Sequence, residues 1–149
     1  MSDDDLTTIR VDQFLAHPPA KVWRVLTEPD LIAKWLMPGD FRLEVGHRYT
    51  METRAIPATG FSGRVQAEVL AFEPLSMLRI GWDDAAAPGK AGWTITWTLV
   101  PEGGGTRLFL THEGFDPDDP MQMQARTIMG GGWRGMVTRR LGELLAEQA

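Results

Sequence analysis

The segment from Asp119 to Ala149 constrains this chain more than any other, because its apolar residues recur at a spacing that only a helix gathers onto one face. Met129, Trp133, Met136, Val137, Leu141, Leu144 and Leu145 form a single stripe, while Arg134, Arg139, Arg140, Glu143 and Glu147 mostly fall opposite. Its start is marked by Asp119 as N-cap, Pro120 at the first helical position and Gln122 as the third-residue partner of a capping box. A helix with one apolar face needs a surface to bury it. It either docks on an ordinary core or lies across the mouth of a curved sheet with a cavity beneath. Within it, Gly130-Gly131-Gly132 and then Gly135 oppose the helical preference. At roughly 1 kcal/mol per interior glycine relative to alanine, the triplet costs about 3 kcal/mol and predicts a bend or break. Two roles fit the glycines: a close approach of the helix backbone to a sheet face, or a hinge for the half that carries Trp133.

The rest of the chain supplies that sheet. Thr7 to Leu15 alternates, with Ile9, Val11 and Leu15 on one side and Arg10 and Asp12 on the other, as a strand with one wet face does. Pro18-Pro19 opens a helix through Ala20, Val22, Trp23, Val25 and Leu26, and Thr27-Glu28-Pro29-Asp30 stops it and caps a second one over Leu31 to Leu36. From Phe41 to His112 six strands are expected, with turns at Glu44–His47, Ile56–Gly60, Glu73–Ser76, Asp83–Gly92 and Pro101–Gly105. In the clearest strand Trp93, Ile95, Trp97 and Leu99 alternate with threonines; the next puts Leu108, Leu110 and His112 on one side. Phe61 to Ala71 places the small residues Gly63, Val65, Ala67, Val69 and Ala71 on one face. Small residues facing large ones leave room between sheet and helix. The expected order is β-α-α-β-β-β-β-β-β-α, an α+β domain over residues 1–149 with an antiparallel sheet of six to seven strands.

Several blocks then carry a resemblance. Pro19-Ala20-Lys21-Val22-Trp23, Leu26-Thr27-Glu28-Pro29, Lys34-Trp35, Gly60-Phe61-Ser62-Gly63-Arg64-Val65, Gly103-Gly104-Gly105-Thr106-Arg107-Leu108, His112-Glu113-Gly114-Phe115 and Gly132-Trp133 stand in order over nearly the whole chain. Together they resemble the family of homologues of the heat-shock-protein-90 ATPase activator, in the START-related SRPBCC superfamily of polyketide cyclases and lipid-transfer domains. The resemblance implies a helix-grip fold, in which a curved sheet wraps the C-terminal helix around an apolar cavity. It reaches only the C-terminal domain of the family's eukaryotic co-chaperones, whose additional N-terminal domain helps engage the chaperone. Gly130-Gly131 ahead of Gly132-Trp133 is a further departure, at odds with the family's continuous helix.

Composition excludes several classes. With 15 basic and 20 acidic residues, a net charge of −5 and no basic run, neither nucleic acid nor an anionic membrane is expected as a partner. There are no cysteines, which removes thiol and disulfide chemistry. No apolar run approaches 18 residues and no signal-peptide pattern opens the chain, so the expectation is a cytoplasmic protein, a monomer or weak dimer. Eight Met and six Trp suit an interior that adapts to irregular contents. The glycine triplets lack the Lys-Ser/Thr of a P-loop, and Ser62 lacks the spacing of a nucleophile elbow and reads as structural. His17, His47 and His112 are scattered, so neither metal nor cofactor is expected. Asp116, Asp118 and Asp119 read as helix-capping residues.

His112 is the one polar side chain on the Leu108–Leu110 face. Either it is bonded to backbone or a neighbour, or it contacts a ligand or moves a proton, with Arg54, Arg79 and Glu113 as candidate companions. No catalytic constellation is complete. The leading expectation is a cavity lined by Trp35, Val65, Ala67, Val69, Trp93, Ile95, Trp97, Leu110, His112, Met129, Trp133, Met136 and Val137, binding an apolar or amphipathic small molecule. The alternatives are a chaperone-interacting module of the stress response and a cyclase- or hydrolase-like enzyme.

Overall fold

Alternation along the strands becomes a six-stranded antiparallel sheet of order β1-β6-β5-β4-β3-β2 in the computed structural model, which describes residues 6–55, 62–86, 92–135 and 139–148. The elements are β1 (Thr8–Leu15), α1 (Pro19–Thr27), α2 (Pro29–Trp35), β2 (Arg48–Glu52), β3 (Arg64–Glu73), β4 (Met77–Asp84), β5 (Trp93–Glu102), β6 (Gly105–Glu113), α3 (Pro120–Gly135) and α4 (Leu141–Glu147). β2 to β6 form a meander, and β1 joins its far side by pairing with β6. α1 and α2 therefore carry the chain from one edge of the sheet to the other. Glu28 separates them because the residue before a proline is pushed out of the helical region. It sits extended (φ −96°, ψ 122°), donating its N–H to Arg24 O and accepting from Leu31 and Ile32.

The inner face of the sheet carries the core. Ile9, Val11, Tyr49, Met51, Val65, Ala67, Val69, Leu78, Ile80, Ile95, Trp97, Leu108 and Leu110 are all buried there, against Val22, Val25, Leu26 and Trp35 of the first two helices and Trp133, Leu141 and Leu145 of the last two. The indole of Trp35 is edge-on to Trp97 (6.2 Å) and donates its N–H to Val25 O at 2.7 Å, joining α2 to both α1 and the sheet.

Three expectations change. Phe41 to Glu44 is not a strand, so five strands rather than six follow the helices. The chain turns there through a Glu44 N–H to Arg42 O bond and a positive φ of 90° at Gly46, and Phe41 is buried edge-on to Tyr49 instead. In β3 the register slips: Val69 faces Ile80 but Ala71 faces Arg79. This bulge at Leu70 turns Phe72, not Ala71, toward the core. Gly63 lies ahead of the strand at φ 92°.

The third concerns the glycines. Gly130 to Gly132 are helical, and α3 continues to Gly135. A Cβ built at Gly131, Gly132 or Gly135 meets nothing within 4 Å, so a close approach to the sheet does not explain them either. At the start of α3, Asp119 Oδ1 accepts from Met121 N–H at 2.9 Å, the expected cap. Gln122 does not close the capping box; its Oε1 accepts from Asp116 N–H (2.8 Å) and from the Trp93 indole (3.4 Å).

Candidate ligand site

The alternation of β6 and β5 brings His112 opposite Ile95 and Trp97 opposite Leu110, all facing inward. α3 lowers Trp133 onto them. Its ring lies 6.0 Å from Trp97, 5.9 Å from Trp82 and 6.1 Å from His112, edge-on to each. Trp93 and Phe115 flank the imidazole at 5.0 and 4.6 Å, so His112 stands inside an aromatic box.

One hydrogen bond orders this group: Trp133 Nε1 donates to His112 Nδ1 at 2.9 Å. A neutral imidazole whose Nδ1 accepts carries its proton on Nε2. Burial keeps the ring neutral, pushing its pKa from 6.5 down to about 3. Its Nε2 is itself buried and, among the described residues, has no hydrogen-bond partner. The indole Nε1 of Trp97 is in the same condition. Other buried polar side chains are occupied: Thr106 Oγ1 donates to His17 O (2.8 Å), and Asp84 accepts from Ser62 N–H (3.0 Å) and Ala86 N–H (2.9 Å). A buried donor left without an acceptor costs roughly 1–3 kcal/mol, so two of them in one aromatic core mark the site.

Trp35 and Trp97 border a void of about 10 Å³, shared with Leu26, Tyr49, Met51, Leu78 and Ile80. That is room for about one water. Val65, Ala67, Val69, Ile95 and Leu110 belong to the buried core, with Trp93 and Met129 packed partly buried against it. Met136 and Val137 lie outside the described residues.

Among the described residues His112 gains no acid–base companion. Arg54, Arg79 and Glu113 are exposed, and Arg79 Nε instead donates to Thr96 on the outer face. His17 is beside Lys21 Nζ (3.2 Å), and His47 meets Asp40 O and stacks on Tyr49, so the three histidines stay apart. Among the described residues no cluster of His, Asp or Glu suits a metal. Ser62 holds Asp84, as a structural residue does. The arrangement can donate hydrogen bonds from a buried aromatic interior; a histidine held neutral this far below its ordinary pKa is a poor base at neutral pH.

Sequence reasoning missed the Trp97 indole, reading the residue only as apolar lining. The signal was available: an inward Trp carries an N–H that needs an acceptor. It also missed an open groove of about 320 Å³ on the outer face, rimmed by the Arg48–Glu68 ion pair and by Gln66, Leu70, Asp83 and Thr94. Its floor is Gly81, which faces Glu68 on one side and Thr94 on the other.

Solved structures with this architecture include protein MLL2253 from Mesorhizobium loti, 35% identical, covering 95% of this chain and 98% of its own, with a TM-score of 0.80. Protein CV1439 from Chromobacterium violaceum is 26% identical over 95% of this chain and 99% of its own, with a TM-score of 0.74. DynU16, a protein of the dynemicin biosynthetic locus, shares the fold at 22% identity and a TM-score of 0.75, covering 95% of this chain and 48% of its own. No curated protein matches the chain. None of its described helices is long and apolar enough to cross a membrane. The profile of the Activator of Hsp90 ATPase homolog 1-like proteins matches residues 16–146, and the chain belongs to that family.

Proposed function

We propose that this protein binds an apolar or amphipathic small molecule between the sheet and the C-terminal helices, acting in the cytoplasm as a monomer or weak dimer. The observation that carries the reading is a pair of buried N–H groups, Trp97 Nε1 and His112 Nε2, that have no hydrogen-bond partner among the described residues and stand in an otherwise apolar, aromatic interior. A ligand acceptor placed there would satisfy both groups. Access requires Trp133 to shift, and α3 is suited to that: of its sixteen residues only Ala125, Gly130 and Trp133 are buried.

The test is a native mass spectrum of the purified protein, together with melting curves against a broad panel of apolar compounds. A ligand specific for the native state adds RT ln(1 + [L]/Kd), roughly 2.7 kcal/mol at a hundredfold excess over Kd. A bound adduct or a concentration-dependent rise in Tm is expected. The reading fails if no adduct is seen and the panel shifts neither melting nor tryptophan fluorescence. The family match also favours a second reading, a chaperone-interacting module. Stimulation of a chaperone ATPase by the wild-type protein, with no response to the panel, would put that reading first.

A further inference from the structure

We propose that the ligand of this site is an uncharged molecule presenting carbonyl-type oxygens, as a ketone, quinone or ester does, to the Trp97 and His112 N–H groups. The inference rests on the binding reading above and adds the ligand's chemistry.

An indole nitrogen only donates. His112 Nδ1, the one acceptor of the imidazole, is already taken by Trp133, which leaves Nε2–H facing the interior as a second donor. The buried ring stays neutral at physiological pH, so this polarity does not reverse. A carbonyl oxygen offers two lone pairs and brings no proton of its own, so it can satisfy these groups without creating a new orphan. A hydroxyl in the same place brings an O–H. The buried polar side chains among the described residues are Thr8, Asp84, Thr96, Thr106 and His112, and Asp84 is held by Ser62 and Ala86. A carboxylate fares worse, because none of those residues is a cation and a buried charge needs a partner. An ammonium has only donors where an acceptor is wanted.

The experiment uses the full chain and four matched tricyclic probes: fluorenone, fluorenol, fluorene and the fluorene carboxylate. A second pair, acetylnaphthalene and ethylnaphthalene, changes the skeleton. Dissociation constants come from calorimetry. The ketone of each pair is expected to bind about tenfold or more tighter than its hydrocarbon, and fluorenol and the carboxylate to bind more weakly than fluorenone. In nitrogen-labelled protein, the Trp97 indole and His112 Nε2–H resonances should move downfield with fluorenone and not with fluorene. Trp97→Phe should reduce the ratio of ketone to hydrocarbon affinity to about threefold or less. Should that variant not fold, the resonance shifts in the wild-type protein decide the matter alone. Hydrocarbons that bind as well as ketones, or a carboxylate that binds best, overturn this inference and leave the binding reading standing. No binding by any probe or by the wider apolar panel overturns both.

Discussion

The two helices that end the chain are held in place by different physics. In α4 three of seven residues, Leu141, Leu144 and Leu145, are buried aliphatics, and the helix packs on α1 and α2. In α3 three of sixteen are buried and only Trp133 is large; it is fixed by edge-on aromatic contacts and one hydrogen bond. Arg126 adds a second polar tie, donating from Nε and Nη2 to Thr8 O at 3.2 and 2.9 Å. Aliphatic burial is non-directional and tolerates small shifts. A hydrogen bond between two ring nitrogens is directional: when it lets go, both rings lose a partner at once. Anchorage by aliphatic burial and anchorage by directional ring contacts are thus separated along the C-terminal segment.

The largest expected effect is at Trp133. Trp133→Ala should lower stability by about 3–5 kcal/mol in denaturant melts, because it removes a fully buried aromatic and strips His112 Nδ1 of its donor. A loss below about 1 kcal/mol would mean that α3 does not rest on the sheet as described. Leu145→Ala, at a residue 0% exposed, should cost about 2–4 kcal/mol. The comparison is sharpest in ligand affinity. At temperatures where both variants are folded, Leu145→Ala should bind small molecules as the wild type does and Trp133→Ala should not. Equal losses in both would erase the division between the two helices.

A smaller effect belongs to His112 and depends on pH. Its native pKa of about 3 lies below the unfolded value near 6.5, so the unfolded chain takes up the proton first as pH falls. The contribution to stability is whole above pH 6.5 and is lost as pH drops toward the native value. Between pH 6.5 and 5 the loss should be about 1–2 kcal/mol. His17, also lowered by burial and by Lys21 beside it, adds a slope of the same sign, so the measurement is the difference between wild type and His112→Leu. Parallel pH profiles for the two proteins would show that His112 is not held neutral by the fold.

How much of this was legible in the sequence follows from the range of the forces concerned. Strand alternation, the Pro29 break between α1 and α2 and the Asp119 cap are local, and each is where the residues put it. So is the burial of Trp133, which follows from its place on the helical stripe. The bulge at Leu70 was not legible, since nothing in Val69-Leu70-Ala71 shows that the register against β4 slips. Nor was the alliance of Trp133 with His112, which brings together residues 21 apart whose meeting depends on the angle at which α3 crosses the sheet. The glycine triplet misled for the opposite reason: local propensity argued for a break, and the helix persists because the fold holds both ends of the segment.

That triplet supplies the smallest and most discriminating prediction. Gly131 and Gly132 are helical, neither has a positive φ, and a Cβ at either would meet nothing within 4 Å. Gly131→Ala and Gly132→Ala should therefore each stabilise the protein by about 0.5–1 kcal/mol, through the entropy of the unfolded chain and better helical propensity. Gly130→Ala should gain less, since its Cβ would lie 3.3 Å from the guanidinium of Arg134. If α3 must bend to let a ligand past Trp133, the double variant Gly131→Ala with Gly132→Ala should be more stable and slower to bind in stopped-flow fluorescence. Its dissociation should slow in step, leaving Kd little changed, because the substitutions touch neither Trp97 nor His112. A gain in stability with unchanged association rates would make α3 a static element like α4. A loss of stability would show that the glycines answer to a conformation other than this helix.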